Sequence, residues 1–157
     1  MGSRKPLIGI IGASKPKNND LSYALEVGQR VASNGWIVIC GGLEGVMEAV
    51  SRGASEKGGV VVGILPRGKA SEANRYVTIP IATNMGYARN AIIAQASDTL
   101  IAIGGGPGTL SEIGHSLAFK KLVVGLETWQ IPGVIQCRTP AEAVSLIEKH
   151  LKKSGLI

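Results

Sequence analysis

Apolar residues along this chain collect into short unbroken runs instead of alternating with polar ones. Leu7-Ile8-Gly9-Ile10-Ile11, Trp36-Ile37-Val38-Ile39-Cys40, Val60-Val61-Val62-Gly63-Ile64-Leu65, Leu100-Ile101-Ala102-Ile103 and Leu122–Leu126 are the clearest. Runs of this length without alternation predict strands buried on both faces, as in a parallel sheet. Shorter strands are expected over Tyr76–Ile81 and near Val134. Between the runs the period becomes helical. Ala24, Val27, Val31 and Ala32 mark a helix over Ser22–Asn34 that Gly35 stops. Further helices are expected over Val46–Lys57, Tyr87–Ala96, Thr109–Lys120 and Ala141–Lys153. The polar stretch from Arg67 to Asn74 predicts a mobile surface loop. Strands alternating with helices give the α/β class, with a single doubly wound Rossmann-like domain and a mainly parallel sheet. No internal repeat or linker marks a second domain.

Three predicted strands open into glycine turns: Gly12-Ala13-Ser14, Gly41-Gly42-Leu43-Glu44-Gly45 and Gly104-Gly105-Gly106-Pro107-Gly108. In a doubly wound sheet all three lie at the carboxyl edge, where such folds bind ligands. Glycine lets backbone N–H groups approach a ligand, and the helix N-terminus behind each turn favours a phosphate. Gly12, Ser14, Gly41, Gly42, Gly45, Gly104, Gly105, Gly106, Gly108 and Thr109 are therefore candidate phosphate- or nucleotide-binding residues. No turn ends in Gly-Lys-Ser/Thr, which excludes a P-loop. The spacing is not G-x-G-x-x-G, and no acidic residue closes a following strand to hold a dinucleotide ribose.

Glu112 has two readings. Thr109-Leu110-Ser111-Glu112 matches the T-x-x-E capping box, a purely structural role. The same carboxylate could instead work on a ligand held by the loop. Arg89 falls in the first turn of its predicted helix, where a cation opposes the macrodipole. An anion explains it, whether a ligand phosphate or Glu112; a surface pair with Asp98 or Glu72 explains it too. Glu112 and His115 form one E-x-x-H pair, whereas a di-iron bundle needs two, so no metal site is expected. His150 sits among lysines, and Ser14 and Ser111 have no histidine partner for triad chemistry.

Composition narrows the partners. At 157 residues, 45% hydrophobic and 18% charged, the chain can bury one sizeable core. Aromatic residues are only 4%, so that core is aliphatic. A net charge of +6 favours a small anionic ligand. Much of the excess lies in end segments such as Lys149, Lys152 and Lys153, with no interleaved aromatics, which argues against nucleic acid. Cys40 and Cys137 have no metal-type spacing and read as reduced core residues. The first apolar run breaks at Gly9 and Gly12, too short for a signal core or membrane span, so a cytoplasmic protein is expected. Met1-Gly2-Ser3 is open to reading as an appended leader.

Taken in order, these segments resemble one family over nearly the whole chain. Gly104–Glu112 resembles the P-G-G-x-G-T-x-x-E signature of the LONELY GUY cytokinin-activating proteins, often mislabelled lysine decarboxylases. Met85-Gly86-Tyr87-Ala88-Arg89-Asn90 resembles their M-x-x-R-K segment, and Gly41–Met47 their G-G-G-x-x-G-L-M loop. Gly104 stands for the leading Pro and Asn90 for the Lys. The resemblance implies a nucleoside 5'-monophosphate phosphoribohydrolase, which releases a free base and ribose 5-phosphate with no required cofactor. Arg89 and Glu112 would then be the catalytic pair, with Met85 and Asn90 beside them and the Gly104–Thr109 loop on the 5'-phosphate. It also implies a homo-oligomer, a dimer or tetramer. Arg4-Lys5-Pro6-Leu7-Ile8-Gly9 and the G-P-G-T loop resemble a second branch, the molybdenum cofactor carrier proteins. That branch implies molybdopterin as the bound ligand, no catalysis, and a capping role for Glu112. A nucleotide-sensing module is a third possibility.

Overall fold

A computed structural model of the chain describes residues 4–157; Met1-Gly2-Ser3, read above as a leader, lies outside the described residues. The unbroken apolar runs become β1 (Leu7–Gly12), β2 (Ile37–Cys40), β3 (Val61–Leu65), β5 (Thr99–Ile103) and β6 (Leu122–Leu126). Two short strands, β4 (Ile79–Ala82) and β7 (Val134–Cys137), complete a seven-stranded sheet in the order β4-β3-β2-β1-β5-β6-β7. Every pairing is parallel. The order reverses at β1, where Ile8 pairs with Val38 of β2 on one side and Gly9 with Leu100 of β5 on the other.

Successive residues of the central strands enter different cores, as the two-residue period requires. Ile8, Ile10, Val38, Cys40, Ile101 and Ile103 pack beneath α1 (Asp20–Ser33), α2 (Val46–Glu56) and α5 (Pro140–Lys153). Ile11, Ile39, Leu100 and Ala102 pack beneath α3 (Arg89–Ala96) and α4 (Pro107–Ala118). Each fully buried Ile or Leu contributes roughly 1.5–3 kcal/mol. On the first face α1 and α2 approach backbone to backbone. A Cβ on Gly28 would stand 2.2 Å from the Val50 carbonyl, and one on Gly53 2.1 Å from the Leu25 carbonyl.

Several elements differ from expectation; α3 begins at Arg89 and not at Tyr87, because Gly86–Ala88 form a 3-10 turn. β4 begins at Ile79, not Tyr76, because Asn74 first turns the chain by accepting the Tyr76 N–H at 3.1 Å. All four residues of β4 are exposed at the sheet edge. Helix α1 starts two residues early, at Asp20, with the acidic residue its dipole favours. The Arg67–Asn74 stretch contains a 3-10 turn over Ala70–Glu72 and is tied to the β2 loop where the Asn74 N–H donates to Gly42 O at 2.8 Å. Helix α4 starts at Pro107, whose ring suits the first helical position, instead of at Thr109. No helix among the described residues is long and apolar enough to cross a membrane.

Candidate functional site

The carboxyl ends of β1, β2 and β5 are neighbours in the sheet, so the three glycine turns meet at the switch point. The first two are locked together. Val46 N–H donates to Ala13 O at 3.0 Å, and a Cβ on Gly45 (φ 71°) would strike that carbonyl at 2.5 Å. Gly12 lies against Ile103 O, Gly42 against Leu65 and Gly63, and Ser14 is exposed at the margin.

Gly104 and Gly105 both have positive φ, 54° and 111°, and face opposite helical layers. A Cβ on Gly104 would meet the Asp20 carboxylate of α1 at 2.4 Å, and one on Gly105 would meet Thr109 of α4 at 2.4 Å. Gly106 is the N-cap, with no side-chain capping bond. The N–H groups of Gly108 and Thr109 lie in the first turn and have no intrahelical carbonyl partner. These amides and the α4 dipole together make an anion cradle.

The capping reading of Glu112 fails here. With α4 starting at Pro107, Thr109 is already its third residue and Glu112 lies in the second turn. Glu112 is buried, 7% exposed, and its carboxylate has no hydrogen-bond partner among the described residues. Burial pushes its pKa up to about 8, with the Arg89 charge pulling it part of the way back. A ligand-free Glu112 is therefore largely neutral at pH 7.

Arg89 opens α3 and is also 7% exposed. Its Nε donates to Ile64 O at 2.8 Å, its Nη1 to Asn90 Oδ1, and its guanidinium lies across Gly41. Burial pulls its pKa down, while nearby Glu112 opposes that shift. The surface partners considered above are both engaged elsewhere: Asp98 with Arg4 at 2.6 Å and Glu72 with Arg67 at 3.5 Å. Asn90 is internal bracing, since its Nδ2 donates to Ser111 Oγ at 3.1 Å and links α3 to α4. Met85 is exposed just before the 3-10 turn Gly86–Ala88 that leads into Arg89. His115 is exposed and stacks on Phe119, while Glu112 faces inward, so the E-x-x-H pair is split. Among the described residues no three His, Cys, Asp or Glu side chains converge.

Sequence reasoning missed a second set of residues around the same turn. Thr128 Oγ1 donates to Gly104 O at 2.6 Å, and Trp129 Nε1 to Gly106 O at 3.3 Å. Asp20 supports Gly104 from below. Its signal was an acidic residue opening the helix after the first glycine turn, which no motif flags.

Comparisons with known proteins agree with this fold. A family model described as "LDcluster4: SLOG cluster4 family" matches residues 5–154. The molybdenum cofactor binding protein of Rippkaea orientalis superposes with a TM-score of 0.91 at 34% identity, covering 96% of this chain and 99% of that one. The molybdenum cofactor carrier protein of Chlamydomonas reinhardtii superposes with a TM-score of 0.86 at 37% identity, covering 95% and 99%. A cytokinin riboside 5'-monophosphate phosphoribohydrolase of Mycobacterium tuberculosis is 30% identical over 132 residues, 78% of this chain and 71% of the relative. The chain is thus similar to both groups named by its motifs.

Proposed function

The chain belongs to the SLOG cluster4 family, and from that premise we propose that it binds the molybdenum cofactor by its terminal phosphate and carries it without cleaving it. The observation that carries this reading is the Gly104–Thr109 turn, where two left-handed glycines lead into a proline-initiated helix whose first-turn amides at Gly108 and Thr109 lack intrahelical partners. Buried Arg89 adds positive charge nearby. Glu112, neutral at pH 7, can sit beside a phosphate without repelling it. The end-to-end likeness to cofactor-binding and carrier proteins supports the same reading. Exposed Ile79, Ile81, Met85 and Tyr87 near the start of α3 suit a homo-oligomer, and the protein is expected to work in the cytoplasm.

A phosphoribohydrolase is the second reading. It is favoured by the Arg89–Glu112 pair, which neither capping nor a surface ion pair accounts for. In that reaction an ionised Glu112 would stabilise an oxocarbenium-like ribosyl centre or orient water, and Arg89 would hold nearby groups. One comparison separates the two. Gently purified protein is assayed for retained molybdopterin and incubated with AMP and prenylated AMP. The carrier reading expects retained pterin and no base release. Base release that disappears in Glu112→Gln and Arg89→Ala would overturn it in favour of hydrolysis.

A further inference from the structure

A cavity of about 160 Å³ lies on the α1 side of the Gly104-Gly105 turn, in the layer opposite Glu112. Its walls include Lys17, Asn18, Asp20, Glu127 and Trp129. At about 30 Å³ per water, this is space for roughly five waters. Such a space is large enough for a planar two-ring heterocycle.

The polar groups of the wall are arranged asymmetrically. Asp20 is 4% exposed; its Oδ2 accepts the Lys17 N–H at 2.9 Å, while Oδ1 has no partner among the described residues. Glu127 also lines the cavity, with Oε1 accepting from Asn19 Nδ2 at 3.1 Å and Oε2 without a partner among the described residues. The Lys17 ammonium and the Asn18 amide add donors. Trp129 is pinned by its own indole N–H on Gly106 O and by Gln136 on its carbonyl, and the residue is 39% exposed. Free carboxylates beside an anion cradle repel a bare phosphate. They favour a ligand that presents N–H groups to them while its phosphate lies on the turn.

We propose that this cavity is the ring subsite of the phosphate cradle, and that it selects a fused ring with a 2-amino-4-oxopyrimidine edge, the edge shared by pterins and guanine. The ring N–H and 2-amino group donate to the carboxylates, the 4-oxo group accepts from Lys17 or Asn18, and the ring lies on Trp129. The inference rests on the reading that the Gly104–Thr109 turn holds the phosphate. It places the ring on the far side of the turn from Glu112, a geometry for holding a ligand and not for cutting it.

The test titrates neopterin 3'-phosphate, GMP, IMP, AMP and inorganic phosphate, followed by calorimetry and tryptophan quenching. Neopterin 3'-phosphate and GMP should bind at least about tenfold more tightly than IMP, which lacks the 2-amino group, and than AMP. Whichever of the two binds more tightly identifies the source of the ring. In Glu127→Gln the GMP-over-IMP preference should shrink to about twofold, with affinity for inorganic phosphate unchanged. Quenching should vanish in Trp129→Leu, because the other tryptophan, Trp36, is buried. Asp20→Asn also weakens the start of α1, so the exposed Glu127 carries the decision. Equal affinity for GMP and IMP, or a preference that survives in Glu127→Gln, overturns the ring subsite and leaves the phosphate cradle standing. Failure of every ligand to bind, phosphate included, overturns the cradle and the subsite together.

Discussion

The guanidinium of Arg89 lies against the bare Cα of Gly41. A Cβ there would stand 2.8 Å from Arg89 Nη2 and 2.6 Å from Met47 Sδ. Both are ends of long side chains, so Gly41→Ala should fold, at a cost of about 1–3 kcal/mol. Arg89 would lose its seat beneath Ile64 O. Affinity for a phosphate-ended ligand should fall about tenfold, the worth of one charge-assisted hydrogen bond, as read by calorimetry.

Glu112 makes stability depend on pH in a direction unusual for a carboxylate. Its folded pKa of about 8 lies above the ordinary 4.5, so the native state holds an extra proton between those values. The associated stability is complete below pH 4.5 and is lost as the pH rises through 8. Urea unfolding should show the wild type losing stability, by up to a few kcal/mol, between pH 5 and pH 9 relative to Glu112→Gln. A difference that is flat over this range would contradict a buried, neutral Glu112.

Gly105 and Gly106 are adjacent but should respond differently. Gly105 has φ 111°, and its Cβ would stand 2.4 Å from Thr109. Gly105→Ala should cost about 1–3 kcal/mol and abolish phosphate binding. Gly106 has φ −106° and nothing within 4 Å of an added Cβ. Gly106→Ala should leave the melting temperature close to wild type.

Glycines inside helices give a prediction of sign. Replacing a helical glycine with alanine ordinarily adds about 1 kcal/mol. Gly114→Ala in α4, with nothing within 4 Å, should do so. Gly28→Ala in α1 should destabilise instead, because its Cβ would stand 2.2 Å from the Val50 carbonyl and backbone cannot yield as a side chain does. Denaturation midpoints of the two variants on either side of wild type would confirm this.

Much of the fold was legible because a strand buried on both faces needs apolar residues at every position, as in Ile8–Ile11 and Leu100–Ile103. The edge strand Ile79–Ala82 was harder to bound, since exposure on all four residues leaves only its β-forming character to mark it. At the site, glycine density exposed the anion turn. The role of Glu112 turned on where α4 begins, and Pro107 moved that start two residues upstream, placing T-x-x-E inside the helix. Asp20 opens α1, while Glu127 and Trp129 come from the loop after β6, more than 100 residues later and with no motif linking them. Only the topology brings them to one turn.

The reversal of strand order at β1 also dictates when the site can exist. During synthesis β1 emerges before all other described strands, and β2 can pair with it soon afterwards. Its other edge stays open for about 90 residues, until Leu100 and Ile101 arrive opposite Gly9 and Ile10. The first two glycine turns are made early, but the anion turn and its helix follow β5. A nascent chain therefore passes through a half-sheet whose aliphatic central strand is open along one edge, with no binding activity. Closure of the sheet and appearance of the ligand site are the same late event.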